Sequence, residues 1–185
     1  VVSLAGTSAS DTLSLPAALP LLSLAGRGAL SGTGNALANL LRGNGAANTL
    51  AGGGGADILE GGGGNDTLSN ASGNTLLAGG AGSDRLSGGN GNDLLIGGAG
   101  NDTLVTGTGA DLIAFNKGDG SDTVAASSTR DNTLSIGGGA RYADLLFQKS
   151  GNDLVLRIGA TDQVTFTGYY ASSANRSVKT LQVVI

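Results

Sequence analysis

The chain has 185 residues, no Cys, no His, 35 Gly and a formal net charge of -4. Without Cys there is no disulfide framework, and without His the commonest general base and zinc ligand are both missing. Residues 57–122 hold nine acidic and two basic residues, against a balance of +1 before and +2 after that span; such a span repels nucleic acid and favours a cation as partner.

No apolar run approaches the ~20 residues of a membrane-spanning helix. Val1 to Leu24 also lacks the charged start of a signal peptide, so no N-terminal export label is expected. A start at Val1 reads as an excerpt of a longer chain.

Residues 1–33 read as short β segments, VVSLA, DTLSL and LLSL, broken by SAS and by Pro16 and Pro20, which suit strand ends. Asp11 reads as a solvated turn carboxylate. From Gly34 a nine-residue register runs to Ala114 as GNALANLLR, GNGAANTLA, GGGGADILE, GGGGNDTLS, NASGNTLLA, GGAGSDRLS, GGNGNDLLI, GGAGNDTLV and TGTGADLIA. Glycines at the first, second and fourth positions allow a tight turn, and the last residues alternate as a short strand does. Position eight is always aliphatic: Leu41, Leu50, Leu59, Leu68, Leu77, Leu86, Leu95, Leu104 and Ile113. Position six reads Asn39, Asn48, Asp57, Asp66, Thr75, Asp84, Asp93, Asp102 and Asp111. The two Asn units suggest a metal-free start to the array, since Asn can hydrogen-bond along a stack without charge.

After Ala114 the period slips, and FNKGDGSDTV supplies Asp119 and Asp122, one of which is expected to close the last turn of its row. All six aromatics follow residue 114, so the array has an aliphatic interior and the tail a different one. DLLFQ and DLVLRI flank the turn KSGN as a hairpin would, and QVTF and VKTLQVVI add further strands of a hydrophobic cap.

A strand of about three residues buries nothing alone, so the units must stack, two to a coil of about eighteen residues. Position-six side chains then form two rows with a spacing of about 4.8 Å between coils. Carboxylates about 5 Å apart repel by roughly 0.8 kcal/mol in water and about 3 kcal/mol at an effective dielectric of 20. Cations between them relieve that repulsion. An all-oxygen set with no soft ligand suits a hard cation, and a flexible one suits calcium over magnesium. One row holds Asn48, Asp66, Asp84, Asp102 and then Asp119 or Asp122; the other holds Asn39, Asp57, Thr75, Asp93 and Asp111. Four strong sites are expected, at 66/84, 84/102, 102 with 119 or 122, and 93/111, with weaker ones beside Thr75.

These units resemble the RTX (repeats-in-toxin) family, whose GGxGxDxUx nonapeptide binds calcium. NALAN, FNKGDGSDTV and the tail DLLFQKSGNDLVLRI with DQVTFTGYY resemble segments that flank such arrays. The resemblance implies an all-β fold, a right-handed parallel β-roll (β-solenoid) with a hairpin-rich C-terminal cap. It implies several calcium ions bound by Asp57, Asp66, Asp84, Asp93, Asp102, Asp111, Asp119 and Asp122. Loop carbonyls of Gly62, Gly64, Gly80, Gly82, Gly89, Gly91, Gly98, Gly100, Gly107 and Gly109 would complete the ligand set. It also implies passage through a type I secretion exporter, followed by folding outside a Gram-negative cell as a monomeric module of a longer chain. The expected division is an N-terminal β segment at 1–33, the roll at 34–124 and the cap at 125–185.

Thr75 with Asn70 and Ala71, the two Asn units, and Thr106 at a first position depart from that pattern. Thr106 keeps its carbonyl, so a site there survives. The unbroken Leu period and the recurring Asp argue strongly against a flexible linker, and without GxxxxGK[ST] or a nearby Lys the Gly-rich turns are weak evidence for a phosphate cradle. The rival class is an accessory or binding module of an extracellular polysaccharide-active enzyme or an adhesin. Position seven offers no repeated Thr or aromatic face for a glycan, and every carboxylate is better read as a ligand than as an acid–base catalyst. No catalytic residue is expected.

Overall fold

A computed structural model describes residues 2–6, 12–127, 129, 131–173 and 176–184; Asp11 lies outside them. Each nonapeptide turns on its glycines and then runs as a strand of three to six residues in the array. Such a strand finds its partners only in the coils above and below. Leu94–Ala99 lies parallel between Leu76–Ala81 and Leu112–Asn116, with Leu95 in register with Leu77 and Ile113. On the other side, Arg85–Ser87 lies between Thr67–Ser69 and Thr103–Val105. The partners stand eighteen residues apart, so two units close one coil. Among the described residues the result is two stacked sheets, one of nine strands and one of ten, as the β-roll expectation requires.

Pairing begins well before the repeats do. Val2–Gly6 pairs in parallel with Leu21–Gly26, and Leu21 in turn with Leu40. Thr12–Ser14 pairs with Ser31–Thr33. Residues 2–6 and 12–33 therefore belong to coils of the same roll, slightly longer than eighteen residues, with Pro16 and Pro20 in the turn between strands. Leu15, Leu22, Leu24 and Leu30 supply their interior.

At the other end the roll changes character. Asp162–Phe166 pairs in parallel with Ser121–Val124 but antiparallel with Asp153–Ile158, which forms the hairpin with Leu145–Ser150. Aromatics enter here because the coil widens: Phe115 and Phe166 are buried, and Tyr169 packs against Phe166 and Tyr170.

The position-eight side chains form two facing ladders, one from each sheet, that meet in one core, each side chain no more than 1% exposed from Leu41 to Ile113. Leu95→Ala would leave a cavity between Leu77 and Ile113 that neighbouring coils cannot close. The expected cost is about 2–5 kcal/mol, read as a lowered melting temperature in saturating calcium. A shift no larger than that of an exposed substitution such as Leu37→Ala would contradict the packing.

Candidate metal centre

The position-six side chains stand where each turn becomes a strand, and they form two rows along the roll. In the first row the backbone N–H of Asn48 donates to Asp66 Oδ1, Asp66 to Asp84, Asp84 to Asp102 and Asp102 to Asp122, at 2.7–3.0 Å. In the second, Asn39 donates to Asp57, Thr75 to Asp93, Asp93 to Asp111 and Asp111 to Asn132, at 2.7–2.9 Å. One oxygen of each of these carboxylates is thus committed to the preceding coil.

The other oxygen is not. Oδ2 of Asp57, Asp66, Asp84, Asp93, Asp102 and Asp111 is buried and has no hydrogen-bond partner. Among the described residues the ion pairs are Arg42–Glu60 and Lys179–Asp131, and neither reaches a row.

The free oxygens of Asp57, Asp66, Asp84, Asp93 and Asp102 each lie beside the first residue of their own unit, and there the missing β-carbon of glycine matters. On Gly79 a β-carbon would stand 2.3 Å from Asp84 Oδ2 and 2.6 Å from the Gly97 carbonyl. On Gly61 it would stand 2.3 Å from Asp66 Oδ2 and 2.6 Å from the Gly79 carbonyl, and on Gly88 2.4 Å from Asp93 Oδ2 and 2.7 Å from the Thr106 carbonyl. Carboxylate and carbonyl oxygens of adjacent coils therefore converge on a cradle that contributes acceptors. The carbonyl of Thr106 serves as a glycine carbonyl would.

Of these first-position carbonyls the nonapeptide pattern points to that of Thr106 and not to those of Gly79 and Gly97. The second- and fourth-position carbonyls instead line up along the stack, Gly62 beneath Gly80 and Gly64 beneath Gly82. Several already accept hydrogen bonds: Gly89 from the Thr108 N–H, Gly100 from the Ser121 N–H, and Gly107 from the Ser127 and Thr129 hydroxyls.

Asp122 takes the place after Asp102. Asp119 instead closes a local turn, accepting the Asn116 N–H at 2.6 Å. Asn132, fully buried at the end of the second row, was not foreseen. Its signal is Asn132-Thr133-Leu134-Ser135, which repeats the order of Asp66-Thr67-Leu68-Ser69 after a slip of three residues.

Burial pushes the carboxyls of Asp66, Asp93 and Asp102 up to about 6 and that of Asp122 up to about 7, while hydrogen bonds to backbone N–H groups work the other way. Neighbouring carboxylates add to the rise: Asp84 beside Asp66, Asp111 beside Asp93, Asp84 and Asp119 beside Asp102. Burial also raises Asp57, Asp84, Asp111 and Asp119. The ionised rows are thus unfavourable without a counter-ion.

No group of three or more carboxylates comes together among the described residues. A hard cation with six to eight oxygen ligands would then draw many of them from the main chain, which calcium tolerates better than magnesium. The RTX calcium-binding nonapeptide repeat (4 copies) matches residues 33–68 and 78–113. The array belongs to the RTX family. No curated protein matches the chain.

The RTX units with Asn at position six complete their own hydrogen bonding. Asn48 Oδ1 accepts the Asn44 N–H at 2.7 Å and its Nδ2 donates to the Leu30 carbonyl at 3.3 Å. Asn39 does the same with the Asn35 N–H and the Asn35 side chain. The amide nitrogen leaves these coils with no free carboxylate oxygen to neutralise.

Proposed function

We propose that this RTX array is the calcium-folded module of a larger exported bacterial protein. It would leave the cell unfolded through a type I secretion exporter, where calcium is scarce, and fold outside a Gram-negative cell. The observation that carries this reading is the set of six buried Oδ2 atoms without partners, stacked in two rows. Four strong ions are expected, at 66/84, 84/102, 102/122 and 93/111. The module acts by folding and by stabilising its parent, with no chemistry of its own. The proposed division is an N-terminal β segment leading into the roll at 1–33, the roll at 34–124 and the β cap at 125–185.

No helix among the described residues is long and apolar enough to cross a membrane. Far-ultraviolet circular dichroism during a calcium titration, with magnesium as control, tests the reading. A coil-to-β transition is expected at calcium on the order of 0.1–1 mM, the range of extracellular modules, and none with magnesium. A chain fully folded at pH 7.5 after metal stripping would overturn it.

A further inference from the structure

The unit Asn70–Ala78 departs from the repeat three times: Asn70 and Ala71 stand at glycine positions and Thr75 at an Asp position. It also lies between the two stretches that match the family. Asn70 is only 7% exposed. Its Nδ2 donates to the Thr75 hydroxyl, to the Ser72 carbonyl at 3.0 Å and to the Gly55 carbonyl at 3.2 Å. Three acceptors around the nitrogen fix the amide's orientation, because the reverse placement would set its oxygen against two carbonyls.

The amide oxygen is left facing the preceding coil. A β-carbon on Gly52 would stand 2.5 Å from Asp57 Oδ2 and 2.8 Å from Asn70 Oδ1. Both oxygens are buried, and neither has a hydrogen-bond partner. Two buried acceptors turned to one cradle each lose their hydration without compensation. In the cradles of Gly61, Gly79 and Gly88 the second oxygen comes from the main chain of the next coil. Here a side chain supplies it.

We propose that Asp57 Oδ2 and Asn70 Oδ1 hold a divalent hard cation, calcium, at a site where a carboxamide stands in for a main-chain carbonyl. The site rests on the calcium reading above and extends it to the unit that interrupts the run of position-six Asp residues between Asp66 and Asp84. Thr75 contributes no carboxylate, and its hydroxyl is taken by Asn70 and by the Gly73 carbonyl. With one carboxylate where an Asp–Asp pair has two, affinity is expected to be on the order of ten-fold weaker, so this site fills last.

Asp57→Asn tests it. The substitution keeps the shape and an Oδ1 to accept the Asn39 N–H, and it places an N–H donor opposite Asn70 Oδ1. Equilibrium dialysis against calcium chloride at pH 7.5, with native mass spectrometry, should find one ion fewer per chain than in the wild type. Circular dichroism in saturating calcium should be unchanged. An unchanged ion count would overturn the site. Failure of Asp57→Asn to fold in saturating calcium would also overturn it, since the new amide should satisfy Asn70. A wild type that binds no calcium at all would sink the calcium reading itself; a wild type that binds calcium while the variant binds equally many ions sinks only this site.

Discussion

Metal-stripped protein at pH 7.5 is expected to lose the β signal of the array, and acidifying the same sample to about pH 4 should restore much of it without any metal. The cause is the burial of the position-six carboxyls. Asp66, Asp93 and Asp102 are pushed up from 3.8 to about 6, and Asp122 to about 7. A carboxyl whose folded value is raised holds its proton more tightly in the fold than in the unfolded chain. It therefore contributes stability that is fully present below about 3.8 and is lost as pH rises through 6 to 7. Calcium reverses the sign. It binds the ionised oxygens, so protons compete with it, and the calcium needed for half-folding should rise as pH falls below about 7. Circular dichroism of stripped protein from pH 3.5 to 8, repeated with calcium, measures both. A stripped chain equally folded across that range would show that the carboxylates do not oppose folding.

The roll itself was legible in the sequence because one period carries two independent signals. Leucine at position eight fixes which side faces inward, and glycine at positions one, two and four fixes where the chain turns. Residues 12–33 carry inward leucines but not glycine at the spacing of the repeat, so only the structure shows that Leu22 stacks on the strand of Val2–Gly6 and, through Leu41, on the array. The rows were legible as far as the period held. Beyond Ala114 the spacing from Asp102 to Asp122 is twenty and from Asp111 to Asn132 twenty-one, so counting by eighteen could not choose Asp122 over Asp119 or find Asn132.

The cradle was hidden for another reason. The period marks the second- and fourth-position carbonyls as ligands, whereas the oxygens beside Asp66 and Asp84 are first-position carbonyls of the next coil, Gly79 and Gly97. Glycine at the first position was read as freedom to turn. Its larger role at Gly79 is the absence of an atom, since any β-carbon would occupy the space shared by Asp84 and Gly97. Asn70 looked like a lapse by the same logic, and only the direction of its amide shows what its side chain does.

Asp84→Ala should remove two calcium ions, and Asp111→Ala one. Both substitutions delete the Oδ1 that caps an N–H of the preceding coil, Asp66 in one case and Asp93 in the other. An N–H left unsatisfied costs about 1–3 kcal/mol, and because both variants pay it, it cancels in the comparison. What differs is the company each carboxylate keeps. Asp84 has carboxylates on both sides, Asp66 below and Asp102 above, joined through one continuous ladder. Asp111 has Asp93 on one side and neutral Asn132 on the other, whose amide nitrogen is turned to the Thr106 hydroxyl. Removing Asp84 therefore breaks two pairs in the middle of a row, whereas removing Asp111 breaks one at its end. The calcium midpoint of the Asp84→Ala transition should rise by on the order of ten-fold more than that of Asp111→Ala, as expected when ligand charge sets affinity. Ion counts by equilibrium dialysis and midpoints by circular dichroism read the two effects separately. Equal losses in both variants would refute the assignment of rows, because a carboxylate that serves two pairs cannot be replaced at the same cost as one that serves a single pair.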